Sequence, residues 1–415
     1  MTTGPNTPTT PLRVLVCPSG FKGSLKPATA AECIKDGILA VEPNAVVRTV
    51  PLVDGGEGFT HVLVAATHGA IQPVGVCGPI GQPVDSFIGI LGPRKDKDTT
   101  ANNSPPRTAV IEIASAAGLS LIPPSHRNPG LTTTYGVGQL LLAALDAGAT
   151  RILVGCGDSG TCDGGAGMLQ ALGARLLDCQ AQPLPLALGG DSLLTLHSID
   201  LSGVDPRLKN TDIDVAVNWH NLLCGPRGVA HVFGPQKGAT PSQTARLAQA
   251  MESLAIAAAR VLGVDDLDID DQVRLAPGGG ASGGLGTGLR VVGARLRPRY
   301  EVVRKFVDLG GGMFDECDLV VTAEGGIDYQ TPFDKIPAEV ARLAKKRGLP
   351  VIAIAGTIGP GARVNYDVGI DAFTCIIQRP MTLDDAVREA ESLTRESAEL
   401  VMRIVSIGRM LGRTG

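Results

Sequence analysis

Carboxylates embedded among glycines recur along this chain, and that pairing suits phosphate chemistry. The fullest case is Gly155-Cys-Gly-Asp158-Ser159-Gly-Thr-Cys-Asp163-Gly-Gly-Ala-Gly167, which follows an apolar run from Ile152 to Val154 and precedes Met-Leu-Gln-Ala-Leu. Asp54-Gly-Gly-Glu57-Gly and Ala323-Glu324-Gly-Gly-Ile-Asp328 repeat the theme. Glycine allows positive φ and close approach of other groups. A strand, a glycine loop and a helix start together aim free N–H groups at an anion. Acids in such a loop repel a bare phosphate, but they suit a divalent metal lying between carboxylate and phosphate oxygens, as Mg²⁺ is commonly bound. Cations for the same purpose stand in other loops: Lys22, Arg227, Lys237 and Lys335. Each could meet phosphate or carboxylate. Thr132-Thr133-Thr134-Tyr135-Gly136 adds hydroxyls and backbone N–H groups at a helix start.

Other readings of these loops remain open at this point. Gly155, Gly157 and Gly160 form a G-x-G-x-x-G, and Asp178 follows 18 residues after Gly160, near the spacing of a dinucleotide fold. A nicotinamide-dependent oxidoreductase would use them in that way. The glycines could also serve strand–helix packing alone, and Lys22 could be merely solvated. No Lys-Ser or Lys-Thr pair closes the loop, so it is not a Walker P-loop.

Composition narrows the partners. Hydrophobic residues make up 44% and charged residues 19% of 415, as in a well-packed globular protein long enough for two or three domains. Aromatics at 3% and a net charge of −4 give no reason to expect a nucleic-acid partner. No long apolar run and no basic-then-apolar start are present, so neither a membrane span nor a signal peptide is expected. The nine cysteines are scattered with no C-x-x-C pair, which fits reduced thiols and a cytoplasmic location. Cys156 and Cys162 read as small buried filler.

The elements that position these loops follow from hydrophobic pattern. Residues 1–10 read as a disordered tail. Leu12 to Cys17, Val46 to Leu52, Asp318 to Thr322, Val351 to Ala355 and Phe373 to Ile377 read as strands. Helices are expected from Pro27 to Leu39, from Phe59 to His68, from Pro337 and from Leu383 to about Met402. The middle of the chain has shorter β-like runs, such as Val84 to Leu91, Thr108 to Ile113 and Ile213 to Val217. Its helices are expected at Thr132 to Ala147 and 241–263, with a polar hairpin tip at Arg94 to Arg107. Pro277 to Gly288 carries seven glycines in twelve residues. Because the two chain ends resemble each other, the economical fold is two α/β domains. A Rossmann-like parallel-sheet domain (1–60 and 290–415) is interrupted by a second, mixed α/β domain (61–289).

These loops together resemble the glycerate kinases that phosphorylate the 2-hydroxyl of glycerate in many bacteria. The matching stretches are Phe21-Lys-Gly-Ser24-Leu, Pro51-Leu-Val-Asp-Gly-Gly-Glu-Gly, Leu131-Thr-Thr-Thr-Tyr-Gly-Val-Gly and Asp163-Gly-Gly-Ala-Gly-Met. Gly225-Pro-Arg-Gly, Phe233-Gly-Pro-Gln-Lys-Gly-Ala, Gly283-Gly284-Leu-Gly and Glu324-Gly follow in the family's order, then Asp328 and Gln330-Thr331. The resemblance implies substrate and nucleotide in an interdomain cleft, ATP and Mg²⁺ as cofactors, and a small hydroxy acid as acceptor. A homodimer is left open.

Phosphoryl transfer rests on positioning and electrostatics. Lys22, Arg227, Lys237 and Lys335 are therefore the expected anion partners. Asp54, Glu57, Asp158, Asp163, Glu324 and Asp328 are the expected metal ligands or base, with Asp54, Asp163, Lys22 and Asp328 as the catalytic set and Asp163 with Glu324 on the metal. Ser19, Ser24, Thr133, Thr134, Ser159, Asn218, His220, Asn221, Gly283, Gly284 and Gln330 complete the binding set. Alanine at Asp163 is expected to abolish turnover in a folded protein.

The chain departs from the family pattern at informative places. Ser19 and Gly20 stand where the pattern has Asp and Ser, and Asp158 and Cys162 where it has Gly and Asn. Asn218 and His220 replace two aspartates, Gly326 an arginine, and Asp334 a glycine. A charge-assisted contact is worth roughly 1.5–3 kcal/mol. Either the site is rebuilt for another small hydroxylated acid, or activity is reduced and the protein binds its ligand without turnover.

Overall fold

A computed structural model describes residues 11–21, 23–53, 55–93, 107–299, 301–302, 312–333 and 335–412. The expected tail at 1–10, most of the hairpin tip at 94–107, and Lys22, Asp54 and Asp334 lie outside the described residues. The chain forms two compact units, Met1–Val53 with Asp308–Gly415 and Asp54–Val307. Both are α/β.

The first unit opens with β1 (Arg13–Pro18), the helix Pro27–Val41 and β2 (Val46–Thr49). The second contains β3 (Ala70–Cys77), β4 (Pro83–Ile90), β5 (Thr108–Glu112), β6 (Arg151–Gly155), β7 (Arg175–Leu177), β8 (Ser198–Asp200), β9 (Asp212–Val217) and β10 (Arg295–Pro298). The chain then returns to the first unit with β11 (Leu319–Ile327), β12 (Val351–Ile358) and β13 (Ala372–Cys375).

In the first unit the sheet order is β13-β12-β11-β1-β2, with every pairing parallel. Its central strands are apolar over most of their buried length, as a sheet covered on both faces requires. The helices Pro27–Val41 and Ala390–Leu411 pack closely together. Gly37 permits this approach, since a Cβ there would lie 2.4 Å from the Arg395 carbonyl oxygen. The second unit holds a six-stranded sheet, β10-β9-β6-β5-β4-β3, parallel from β10 to β5 and antiparallel from β5 to β3. β7 and β8 form a separate antiparallel pair. The helix Pro241–Leu262 begins with a capping box, in which the Thr240 hydroxyl accepts from the Gln243 N–H while the Gln243 side chain accepts from the Thr240 N–H.

Three expectations move. The seams at 60/61 and 290 shift to 53/54 and 307/308. The helix Phe59–Ala66 packs on β4, where a Cβ at Gly89 would meet the Val64 and Thr60 side chains at 2.5 and 2.7 Å. β10 extends the second sheet beside β9. β11 runs on to Ile327, its last residues paired with Thr357 and Ile358, so Glu324 stands on a strand rather than in the loop beyond it. The helix expected from Thr132 begins at Tyr135, because the preceding threonines are held elsewhere.

Gly37→Ala should lower the free energy of unfolding by about 1–3 kcal/mol through overpacking, read from the midpoint of urea denaturation. An unchanged midpoint would mean that the two helices separate without cost.

Candidate active site

In the second unit the sequence expected to bind metal is built around a buried carboxylate. β6 is flanked by β5 and β9, and its chain continues into the loop ending at the helix Ala166–Ala171. Asp163 is fully buried. Its Oδ2 accepts from the Thr134 N–H (2.8 Å), the Thr134 hydroxyl (2.9 Å) and the Gly167 N–H (3.2 Å), and its Oδ1 from the Gly165 N–H (3.3 Å). Burial pushes its carboxyl above the ordinary range, opposed by the Thr134 and glycine donors. The Thr132 hydroxyl donates to the Gly160 carbonyl at 2.9 Å, tying the threonine run to the same loop.

Lys237 is equally internal, at 3% exposure. Its Nζ donates to the Ser159 hydroxyl (2.8 Å) and the Thr161 carbonyl (2.7 Å), and burial pulls its ammonium down to about 8. Asp163 and Lys237 thus hold the loop from inside. Neither is placed as the exposed metal ligand or anion partner expected from sequence. Cys156 and Cys162 are buried, which pushes their thiols up to about 12 and about 11, as inert filler would be.

A second glycine segment lies against this loop. Gly283 and Gly284 have φ of +76° and +90°, and a Cβ on Gly283 would fall 2.0 Å from the Thr161 carbonyl oxygen. The Gly278 and Gly280 N–H groups donate to the Trp219 and Asn221 carbonyls. Asn218 accepts from the His220 N–H at 3.0 Å, forming an Asx turn after β9. Arg227 is exposed.

The open face of the loop is acidic. Asp158, at φ +49°, accepts from the Glu57 N–H at 3.1 Å. The exposed Glu57 carboxylate accepts from the Ser120 hydroxyl at 2.5 Å. Sequence reasoning missed Glu112, the last residue of β5. It is 4% exposed and accepts from the Gly58 N–H (3.2 Å) and the Thr60 N–H (2.8 Å). An acid ending the otherwise apolar run Ala-Val-Ile-Glu-Ile was the available signal.

In the first unit, Glu324, Asp328 and Lys335 come together at the C-terminal end of the parallel sheet. Lys335 Nζ lies 3.8 Å from Glu324, 3.6 Å from Asp328 and 3.4 Å from the Gly326 carbonyl. Asp328 also accepts from the Gln330 N–H at 2.8 Å. The Ser19 N–H and hydroxyl both donate to the Ala323 carbonyl, at 2.8 and 3.0 Å. The Ser24 hydroxyl donates to the Phe21 carbonyl. Loops past the carboxyl ends of strands are the binding edge of such sheets.

Residues 14–406 match the model of the glycerate kinase family. The chain belongs to that family. A glycerate kinase of Bacillus subtilis (strain 168) is 41% identical over 401 residues, covering 96% of this chain and 99% of the relative. A glycerate 2-kinase of Escherichia coli (strain K12) is 39% identical over 398 residues, with 96% and 99% covered. A crystal structure assigned as glycerate kinase 2 from Salmonella typhimurium LT2 superposes with a TM-score of 0.74 at 40% identity, covering 97% of this chain and all of that one.

Membership in the glycerate kinase family displaces the nicotinamide reading, and the geometry agrees. Helix Ala166–Ala171 starts well past Gly160, and Asp178 sits in a tight turn between β7 and β8, accepting from the Gln180 and Gln182 N–H groups. Among the described residues no helix is long and apolar enough to cross a membrane.

The geometry alters what alanine at Asp163 should do. Removing the carboxylate leaves the buried Thr134, Gly165 and Gly167 donors without their acceptor, at about 1–3 kcal/mol for an unsatisfied group. Asp163→Ala should therefore lower the denaturation midpoint as well as turnover; a variant as stable as the parent would remove Asp163 from the loop's support.

Proposed function

We propose that this protein is an ATP-dependent kinase of the cytoplasm that phosphorylates the 2-hydroxyl of glycerate, releasing 2-phosphoglycerate and ADP. The observation that carries this reading is a likeness running unbroken from residue 14 to 406 and spanning almost the full length of relatives named for that activity.

Each residue role here is part of the proposal. Lys335, held between two carboxylates, is the first unit's candidate cation for phosphate or for the glycerate carboxylate; Lys22 and Arg227 are further candidates from the chain. Asp54 is the base toward the attacking hydroxyl, with Asp328 as the second candidate. The exposed Glu57 and the half-buried Asp158 are the further candidate carboxylates of the second unit. Ser19, Ser24 and Gln330 are the binding candidates of the first unit, and Asn218, His220 and Asn221 those of the second. Thr133, Thr134, Ser159, Gly283 and Gly284 belong to the loop's support, with Asp163 and Lys237.

Mg²⁺ accompanies ATP in such chemistry and neutralises phosphate charge. The pair expected to hold it does not fit. Asp163 is buried with both oxygens occupied by donors, and Glu324 faces an ammonium 3.8 Å away. Among the described residues no group of three or more His, Cys, Asp or Glu side chains is placed for a metal.

The substitutions at Ser19, Asn218, His220 and Gly326 favour one second reading, a family member that binds its ligand with reduced or no turnover. An ADP-release screen over small hydroxy acids, D-glycerate first, separates the two: ADP formed with glycerate supports the kinase, and saturable glycerate binding without ADP supports the second reading. Gly326→Arg restores the charge of the family pattern. It should lower KM for glycerate about ten- to a hundredfold, the worth of one charge-assisted contact. An unchanged KM would mean that this chain recognises its acid elsewhere.

A further inference from the structure

Glu112 is a buried acid that the proposed chemistry does not use. It ends β5, paired in register with Gly155 at the end of β6, and the next residue's N–H donates to the Gly155 carbonyl at 3.1 Å. Its backbone is therefore fixed beside the glycine loop that runs from Gly155 to Gly167, the organising loop of this unit, while its carboxylate reaches another segment. Helix Phe59–Ala66 has Gly58 as its N-cap and no side-chain cap of its own. The Glu112 oxygens take that place, one accepting from the Gly58 N–H and the other from the Thr60 N–H. A carboxylate at a helix N-terminus satisfies orphan donors and meets the positive end of the helix dipole.

The segment held in this way carries Glu57, and it packs on the organising loop with little room to spare. A Cβ at Gly157 would lie 2.5 Å from the Gly56 Cα, and one at Gly155 would lie 2.4 Å from the Phe59 ring. We propose that Glu112 is a positioning residue for phosphoryl transfer, its ionised carboxylate clamping the Gly55–Thr60 backbone against the organising loop so that Glu57 is held for the reaction. This rests on the kinase reading above.

The clamp needs the charged form. A carboxylate accepts on both oxygens, whereas the protonated acid carries a hydrogen on one of them and meets a backbone donor with a donor. Burial pushes the Glu112 carboxyl up to about 7; the Thr60 and Gly58 N–H bonds oppose the rise, and Glu57 is the charged neighbour that adds to it. The clamp is therefore engaged above neutral pH and released below it.

The test uses the full-length protein and its Glu112→Gln variant, in which the side-chain amide N–H₂ faces one of the two backbone donors. The ratio of wild-type to variant kcat/KM for the acceptor, which cancels the nucleotide's own titration, should rise tenfold or more from pH 6 to pH 8.5. The amide resonances of Gly58 and Thr60 should titrate with the same midpoint in the wild type and not in the variant. A ratio that does not change with pH overturns the link to catalysis. Amides that do not titrate overturn the clamp, whatever the turnover and even if the variant fails to fold. No ADP from any hydroxy acid, with the amide titration intact, supports the clamp and removes the kinase reading instead.

Discussion

A carboxylate sunk beneath the surface has to be answered by donors, and at Asp163 the answer organises the second unit's loops. Four donor contacts from Thr134, Gly165 and Gly167 converge on its two oxygens. The other side of the same loop is held by a buried ammonium, Lys237, through Ser159 and Thr161. Buried charges tolerate little rearrangement, because breaking one partner leaves the other exposed to the full desolvation penalty. The loop between them is held for that reason, and glycines supply the room around it: a Cβ at Gly157 would meet the Gly56 Cα at 2.5 Å, and one at Gly283 the Thr161 carbonyl oxygen at 2.0 Å.

That division of labour explains which parts of the molecule could be read from the chain. Apolar runs such as Leu12 to Cys17 and Ile213 to Val217 mark buried parallel strands, and the structure has them close to those limits. The alternation of the two chain ends with a different middle marks the discontinuous first unit. The seams were harder, because a short edge strand such as Arg295–Pro298 alternates charge with Leu296 and Pro298 and carries little apolar signal. Burial of charge was not legible at all. Lys237 in a glycine loop looks like a surface cation, and nothing local distinguishes it from Arg227, which is exposed. The difference comes from Ser159 and Thr161, more than seventy residues away in sequence. Glu112 escaped for the same reason: its partners are donors from a distant helix start, not another charged group that spacing would have revealed.

The family's lost charges leave a structural trace that separates loss from replacement. Ser19 spends its hydroxyl on the Ala323 carbonyl, and Asn218 spends its amide oxygen on the His220 N–H. Both are turn and strand-end bonds that short polar side chains make readily. These positions keep the backbone course at a strand end while no longer carrying charge. Gly326 differs from them. A Cβ there would meet only the Thr357 hydroxyl at 3.2 Å, so a side chain is tolerable and its absence is not demanded by packing. It is a departure that local packing does not require, and it lies on β11 within reach of the Lys335 ammonium.

Lys335 then carries more of the first unit's electrostatic burden than sequence alone suggested. Flanked by Glu324 and Asp328 at 3.8 and 3.6 Å, its single positive charge is outweighed by two negative ones before any ligand arrives. A phosphate or carboxylate approaching that point must compete with two resident anions or share the ammonium with them. At such separations, partly exposed pairs are worth little individually, so the resident contacts orient the ammonium without consuming it. The same two carboxylates disfavour a second anion nearby unless a cation comes with it. A polyphosphate that carried its own metal would meet that condition more fully than a bare polyphosphate would. On the proposed kinase reading, Glu324 and Asp328 act at this end of the sheet as counter-charges to Lys335 rather than as a built metal cage.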